Sequence, residues 1–235
     1  MRRPDSRTVW FFDLDNTLHD AGRTVFPRMN AAMTDYICEH LELPRAQADE
    51  LRVRYWLRYG STLLGLMRHH RVSAAHFLHE THRFADLERE VTGHRHDLAA
   101  LKRLPGRKVL LTNAPRDYAM RVLRALRIEN CFDALIPIED MHMFGHLRPK
   151  PDGRLFRHLP VRLGVSPHRC VLVEDSLENQ KAARSAGWAT VWMQRWTKAS
   201  VGDRPHVGRS LRRRLPFVDV RVRRLQALCK NHPVG

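Results

Sequence analysis

Val9-Trp10-Phe11-Phe12-Asp13-Leu14-Asp15-Asn16-Thr17-Leu18 passes from four apolar residues straight into two carboxylates spaced by one leucine. The apolar four have the length and the aromatic or β-branched content of a core strand, so the acids fall just past its carboxyl end, where open α/β sheets bind ligands. Two carboxylates at the end of a buried strand are costly to desolvate unless a cation or a reaction uses them. A turn in which Asp15 and Asn16 hydrogen-bond their own backbone is the alternative.

Outward from this stretch, further short apolar runs read as sheet strands: Val109-Leu110-Leu111, Ala134-Leu135-Ile136, Cys170-Val171-Leu172-Val173 and Ala189-Thr190-Val191-Trp192-Met193. Helical patterns from Tyr118 to Leu126 and from Leu177 to Ala186 alternate with them, which predicts an α/β fold with a parallel sheet and helices on both faces. Residues 19–93 carry a mostly helical pattern with no convincing strand. Met29, Met33, Tyr36, Ile37 and Leu41 share one helix face, and Tyr59-Gly60-Ser61 breaks the pattern before Leu63 and Leu66. So long an insertion between two sheet strands reads as a separate helical unit. The expected division is a discontinuous core, 1–18 with 94–235, and a helical insertion, 19–93. A basic stretch from Gln194 to Pro216 precedes an expected strand at Phe217-Val218-Asp219-Val220 and a last helix from Val222 to Cys229.

With 235 residues, 43% of them hydrophobic, the chain can bury a full α/β core and a smaller companion. No apolar stretch approaches the roughly 20 residues that cross a bilayer. The start, Met1-Arg2-Arg3-Pro4-Asp5, lacks the apolar core of a signal peptide, so the cytoplasm is the expected location and no membrane partner is expected. Cys38, Cys131, Cys170 and Cys229 lie far apart and read as reduced residues rather than a metal site or a disulfide framework. The formal charge is +16, with 41 Lys plus Arg against 25 Asp plus Glu. That balance favours anionic ligands and could hold nucleic acid non-specifically, but the arginines are spread along the chain and no specific nucleic-acid partner is expected.

Three more polar signals end the predicted strands. Thr112-Asn113 precedes a helix with Pro115 at its start, so a hydroxyl, an amide and free N–H groups meet at a helix N-terminus suited to an anion. Lys150 sits in Arg148-Pro149-Lys150-Pro151-Asp152, where the prolines stiffen the loop. Glu174-Asp175-Ser176 closes another strand, and Asn179 follows one turn later. Singly, each has an ordinary explanation as a helix cap or a surface charge. Together they place acids, a lysine and a hydroxyl at matching strand ends in a fixed order. Such a set suits attack by a carboxylate on a phosphate dianion, where Mg²⁺ and a lysine must neutralise both partners, and a second acid can serve both half-reactions.

The order DxDxT, a strand ending in Thr-Asn, a lone Lys beside proline and a strand ending in Glu-Asp resembles the four motifs of the haloacid dehalogenase-like hydrolases. The resemblance covers nearly the whole chain and implies a Rossmann-like core with a helical cap inserted after the first motif. It implies Asp13 as the nucleophile that forms an aspartyl-phosphate, and Asp15 as general acid and then base, with its backbone carbonyl on the metal. Thr112, Asn113 and Lys150 would hold the phosphoryl group. Asp13, Asp15 and Asp175 would hold Mg²⁺, Asp175 directly or through water, with Glu174 and Asn179 in support. Glu174 stands where many relatives have Asp, and Asn179 where many have a second Asp. Dehalogenases of this superfamily lack the second acid, so Asp15 points to a phosphate ester, and phosphonate cleavage would need a cap lysine that residues 19–93 do not contain.

The stretch Tyr55-Trp56-Leu57-Arg58-Tyr59-Gly60-Ser61-Thr62-Leu63-Leu64-Gly65-Leu66 resembles the pyrimidine 5′-nucleotidase branch, in which the cap sets specificity. Arg58 or Tyr59 could meet a base or ribose; equally, Tyr59-Gly60 could be a helix break that packs Leu63 and Leu66. The expected substrate is a small phosphorylated metabolite, a pyrimidine nucleoside 5′-monophosphate. The alternatives are a sugar-phosphate or phosphoglycolate phosphatase or phosphomutase, or a basic nucleic-acid-binding module built on residues 204–214 with a vestigial site. His76, His79 and His82 read as surface or packing residues, because no acid or thiol pattern completes a metal site. Oligomeric state is not legible.

Overall fold

The computed structural model describes residues 7–196 and 214–229. Strand β1 (Val9–Phe12) is buried along its whole length. On either side of it lie β2 (Arg107–Leu111) and β6 (Cys170–Glu174), both parallel to it, with Phe11 opposite Val109 and Leu172. Outside these stand β3 (Ala134–Ile136) on one flank and β7 (Ala189–Met193) and β8 (Val220–Val222) on the other. The resulting six-stranded order is β3-β2-β1-β6-β7-β8. Consecutive parallel strands are joined through α7 (Arg116–Ala125), α8 (Gly153–Leu163) and α9 (Leu177–Ser185), the crossovers that parallel pairing demands.

Successive residues of a strand point to opposite faces. Val9 and Phe11 join Val109, Leu111, Leu172, Leu155, Phe156, Leu159 and Trp188 in one core cluster. Trp10, Phe12, Leu110, Val171 and Val173 are just as buried. Burial of both faces is why these strands read as unbroken apolar runs instead of alternating ones. The indole groups are satisfied inside: Trp10 Nε1 donates to the Pro105 carbonyl at 2.9 Å and Trp188 Nε1 to that of Phe156 at 3.0 Å.

Two expectations at the end of the chain are corrected. The strand forms at Val220–Val222 instead of 217–220, because Asp219 is committed to side-chain pairing: its Oδ2 accepts from Thr190 N at 2.9 Å, while Thr190 Oγ1 donates to the Phe217 carbonyl at 2.9 Å. The last helix is a 3₁₀ segment, Leu225–Cys229, not a helix from 222. Leu225 and Leu228, its buried residues, are three apart, the 3₁₀ period, and Asp97 Oδ1 accepts the Leu225 N–H at 2.8 Å. A two-stranded hairpin, β4 (His142–Met143) with β5 (His146–Leu147), had no sequence expectation. Of the basic segment 204–214, residues 204–213 lie outside the described residues.

By contacts, the chain divides into two compact units, with residues up to Gly22 and from Val91 in one and Arg23–Glu90 in the other. The second unit holds α1 (Val25–Leu41), α2 (Arg45–Tyr59), α3 (Thr62–His70), α4 (Ala74–Thr81) and α5 (Leu87–Glu90), while α6 (Arg95–Arg103) belongs to the first. Gly60, at φ 75°, ends α2, and its N–H donates to the Trp56 carbonyl at 2.9 Å. Gly65 lets α3 lie against α2, since a Cβ there would stand 2.3 Å from Tyr55 Cγ. His76 meets the Tyr36 hydroxyl, His82 the Leu78 carbonyl and His79 the Arg83 guanidinium, so the three histidines serve separate contacts. Among the described residues no helix is long and apolar enough to cross a membrane, and the four cysteines are unpaired.

Candidate active site

Strand β1 stands where the connections diverge, toward β2 and β3 on one side and β6 to β8 on the other. Side chains just past the carboxyl ends of β1, β2 and β6 therefore converge on one crevice, the usual ligand position of an open α/β sheet. Asp13 prolongs the ladder by one residue, its N–H donating to the Val173 carbonyl at 3.0 Å. The chain then leaves the sheet in a tight turn: Leu18 N donates to the Leu14 carbonyl, and Asn16, at φ 58°, accepts the Gly22 N–H on its Oδ1 at 2.8 Å. Asparagine tolerates that left-handed backbone better than other non-glycine residues.

Lys150 is almost wholly buried, and its ammonium lies 2.7 Å from Asp13 Oδ1 and 2.7 Å from Glu174 Oε2. One positive charge thus serves two buried carboxylates. Glu174 has further donors, with Oε2 accepting from Asn179 Nδ2 at 2.9 Å and Oε1 accepting from Asp175 N and Ser176 N at 3.2 and 3.1 Å. Burial opposes its charge, but Lys150 and the Asp175 and Ser176 N–H donors outweigh it, so its pKa lies below the ordinary carboxylate value. Asp13 moves the opposite way. Burial, then the charge of Glu174, push it up to about 7, with Lys150 only partly offsetting them. Burial also works against the ammonium, yet the two acids hold the Lys150 pKa above its usual value.

Such a set is short of positive charge. Carboxylate oxygens of Asp13, Glu174 and Asp175 lie within 4.8 Å of one another, a group able to hold a metal ion. All three are hard oxygen donors, and Asp175 is only half-buried, which suits a cation that keeps waters and meets a substrate phosphate.

Thr112 continues β2, its N–H donating to the Ile136 carbonyl at 3.1 Å, and its Oγ1 accepts the Ala114 N–H at 3.0 Å. Asn113 is engaged differently. Its Nδ2 donates to the Lys150 carbonyl at 2.8 Å and its Oδ1 accepts the Lys150 N–H at 3.0 Å, so both ends of the amide grip the main chain that carries the lysine.

Asp15 is the more open acid of the pair, and two groups with no site expectation converge on its Oδ1. The Tyr118 hydroxyl donates to it at 2.6 Å, and His19 Nε2 lies 2.8 Å away. Both side chains are buried. Burial first, and the neighbouring Asp15 charge second, raise the Tyr118 pKa well above 10, so the phenol keeps the proton that it donates. His19 is brought in by a backbone bridge between residues 15 and 19. A histidine four residues beyond an acid was a visible signal. Tyr118 carried none, lying 103 residues away.

The crevice thus unites Asp13, Asp15, Thr112, Asn113, Lys150, Glu174, Asp175 and Asn179, all from the first unit. Arg58 and Tyr59 belong to the second. Tyr59 pairs its hydroxyl with His69 Nε2, and the Arg58 guanidinium stands 5.4 Å from the Tyr59 ring centroid. Leu63 and Leu66 just beyond are buried.

Residues 8–187 match the family described as haloacid dehalogenase-like hydrolase. The chain is 26% identical over 204 residues to phosphate metabolism protein 8 of Saccharomyces cerevisiae, covering 80% of this chain and 62% of that protein. It is 34% identical over 104 residues to the phosphorylated carbohydrates phosphatase of Thermotoga maritima, covering 44% of this chain and 46% of that one. It therefore spans less than two thirds of the length of these curated relatives. The crystal structure of a HAD phosphatase from Thermococcus onnurineus superposes with a TM-score of 0.61 at 19% identity, over 95% of this chain and 96% of that one, a likeness of fold.

Proposed function

The chain belongs to the haloacid dehalogenase-like hydrolases, and on that premise we propose that it is a Mg²⁺-dependent phosphatase that cleaves a small phosphomonoester through an aspartyl-phosphate on Asp13. The observation that carries the proposal is the division of labour between the two acids. Asp13 is buried against Lys150, while Asp15, two residues on, keeps Oδ2 without a partner among the described residues. An Asp13 oxygen forms a bond to phosphorus as the ester P–O bond breaks, and the leaving alkoxide takes a proton from Asp15. Water then attacks the acyl phosphate, its proton passing to Asp15, and inorganic phosphate departs. Lys150 and the Thr112 hydroxyl meet phosphoryl oxygens, and Asn113 fixes the backbone of Lys150. Asp13 and Asp175, with the Asp15 carbonyl, would hold Mg²⁺, with Glu174 in support beside them; the ion would supply positive charge for the phosphoryl oxygens and for the attacking carboxylate.

The proposed substrate is a pyrimidine nucleoside 5′-monophosphate, supported by the likeness of Tyr55 to Leu66 to that branch. A sugar phosphate is the second reading, supported by the similarity to the phosphorylated carbohydrates phosphatase of Thermotoga maritima. Phosphate release from uridine and cytidine monophosphates, sugar phosphates and phosphoglycolate, with Mg²⁺ and with EDTA, tests both. The expectation is Mg²⁺-dependent release, highest in kcat/KM for the two nucleotides and absent in Asp13→Asn. Equal or better turnover of sugar phosphates would replace the nucleotide reading, and no release from any ester would end the phosphatase one.

A further inference from the structure

A carboxylic acid that delivers a proton must carry it on the oxygen that meets the leaving group. Asp and Glu side chains have a broad terminal torsion, so a free carboxyl group presents either oxygen. Here one oxygen is taken. Oδ1 of Asp15 accepts from the Tyr118 hydroxyl at 2.6 Å and faces His19 Nε2 at 2.8 Å, whereas Oδ2 has no partner among the described residues. An oxygen that accepts two hydrogen bonds has no room for a proton of its own. The donors are themselves fixed: Tyr118 lies in the first turn of α7 and is 2% exposed, and His19 is fully buried and bridged to Asp15 through the backbone.

We propose that Tyr118 and His19 are positioning residues for the proton transfer, pinning Asp15 through Oδ1 so that Oδ2 alone gives the proton to the leaving oxygen and later takes one from water. The inference rests on the phosphatase reading above and adds to it two residues outside the motif set. Its consequence is selective. Loss of either donor harms a substrate in proportion to how much its leaving group needs protonation, because the attack by Asp13 is untouched.

The test compares phenyl phosphate with p-nitrophenyl phosphate, two aryl esters of which the first has the more basic leaving group, in wild type, Tyr118→Phe, His19→Leu and His19→Gln. Tyr118→Phe and His19→Leu are each expected to lower kcat/KM for phenyl phosphate about tenfold, the worth of one hydrogen bond to a charged group. The p-nitrophenyl ester should lose less than about threefold. His19→Gln, which keeps an N–H at the right reach, should restore the phenyl ester rate. The ratio of the two rates within one preparation is independent of the folded fraction, so destabilisation cannot mimic the result. Equal losses on both esters, or no loss on either, would overturn the inference while the phosphatase reading stands. Wild-type protein inactive on both would overturn that reading, and the inference with it.

Discussion

Replacing Asp13 by Asn should stabilise the metal-free protein while abolishing turnover. Asn keeps the shape of a protonated aspartic acid and can still accept from Lys150, which retains Glu174 as its ionic partner at 2.7 Å. In the folded chain the Asp13 pKa stands at about 7 against an ordinary 3.8. Because the folded pKa is the higher one, the native state holds a proton that the unfolded state has released, and stability is lost as pH rises from about 4 through about 7. A tenfold change in proton affinity is worth about 1.4 kcal/mol, so above pH 7 the ionised Asp13 costs on the order of 4 kcal/mol. Urea unfolding of both proteins in EDTA at pH 5, 6 and 8 reads this directly. The advantage of Asp13→Asn should widen with pH, and saturating Mg²⁺ should narrow it by stabilising the wild type through binding to the native state. An Asn variant less stable than wild type at pH 8 in EDTA, or a difference that does not change with pH, would refute the electrostatic account of the site.

Lys150→Met leaves Asp13 and Glu174 buried without their cation and should cost about 3–5 kcal/mol in urea unfolding, with phosphate release reduced to background. Glu174→Gln must turn its NH₂ toward two donors whichever way it lies, Lys150 and Asn179 on one side or the N–H groups of Asp175 and Ser176 on the other. It should raise the Mg²⁺ concentration for half-maximal activity by at least about tenfold, measured by metal titration of turnover. Gly65→Ala drives a Cβ against the Tyr55 ring and should lower unfolding stability by about 1–3 kcal/mol.

The sheet strands were legible because burial on both faces leaves uninterrupted apolar runs, and the acids, Thr112 and Lys150 were legible because each follows such a run or stands between two prolines. Side chains whose meaning depends on tertiary approach were not. Tyr118 looks like any apolar-face residue of a helix until α7 brings it to Asp15, and the grip of Asn113 on the Lys150 main chain is invisible in a Thr-Asn dipeptide that also reads as a helix cap. The tail was misread by a few residues because Phe217-Val218 has strand composition, while Asp219 is held by Thr190 and delays the ladder to Val220. Tyr59 was ambiguous by nature, since an aromatic before a glycine suits a contact and a helix end alike.

The central place of β1 also governs the order in which the molecule can be assembled. This fully buried strand precedes the other five of its sheet in the chain, and its two partners arrive at residues 107 and 170. Val9 to Phe12 has two unsatisfied edges before β2 is made and one before β6 is, and Asp13 behind it waits for a lysine 137 positions downstream. Pairing of such long sequence separation is slow, and an open apolar edge invites contact with other chains. A nascent chain halted before residue 150 therefore holds the nucleophile without its counter-charge and the core strand with its β6 edge still open, a species prone to aggregate and unable to react.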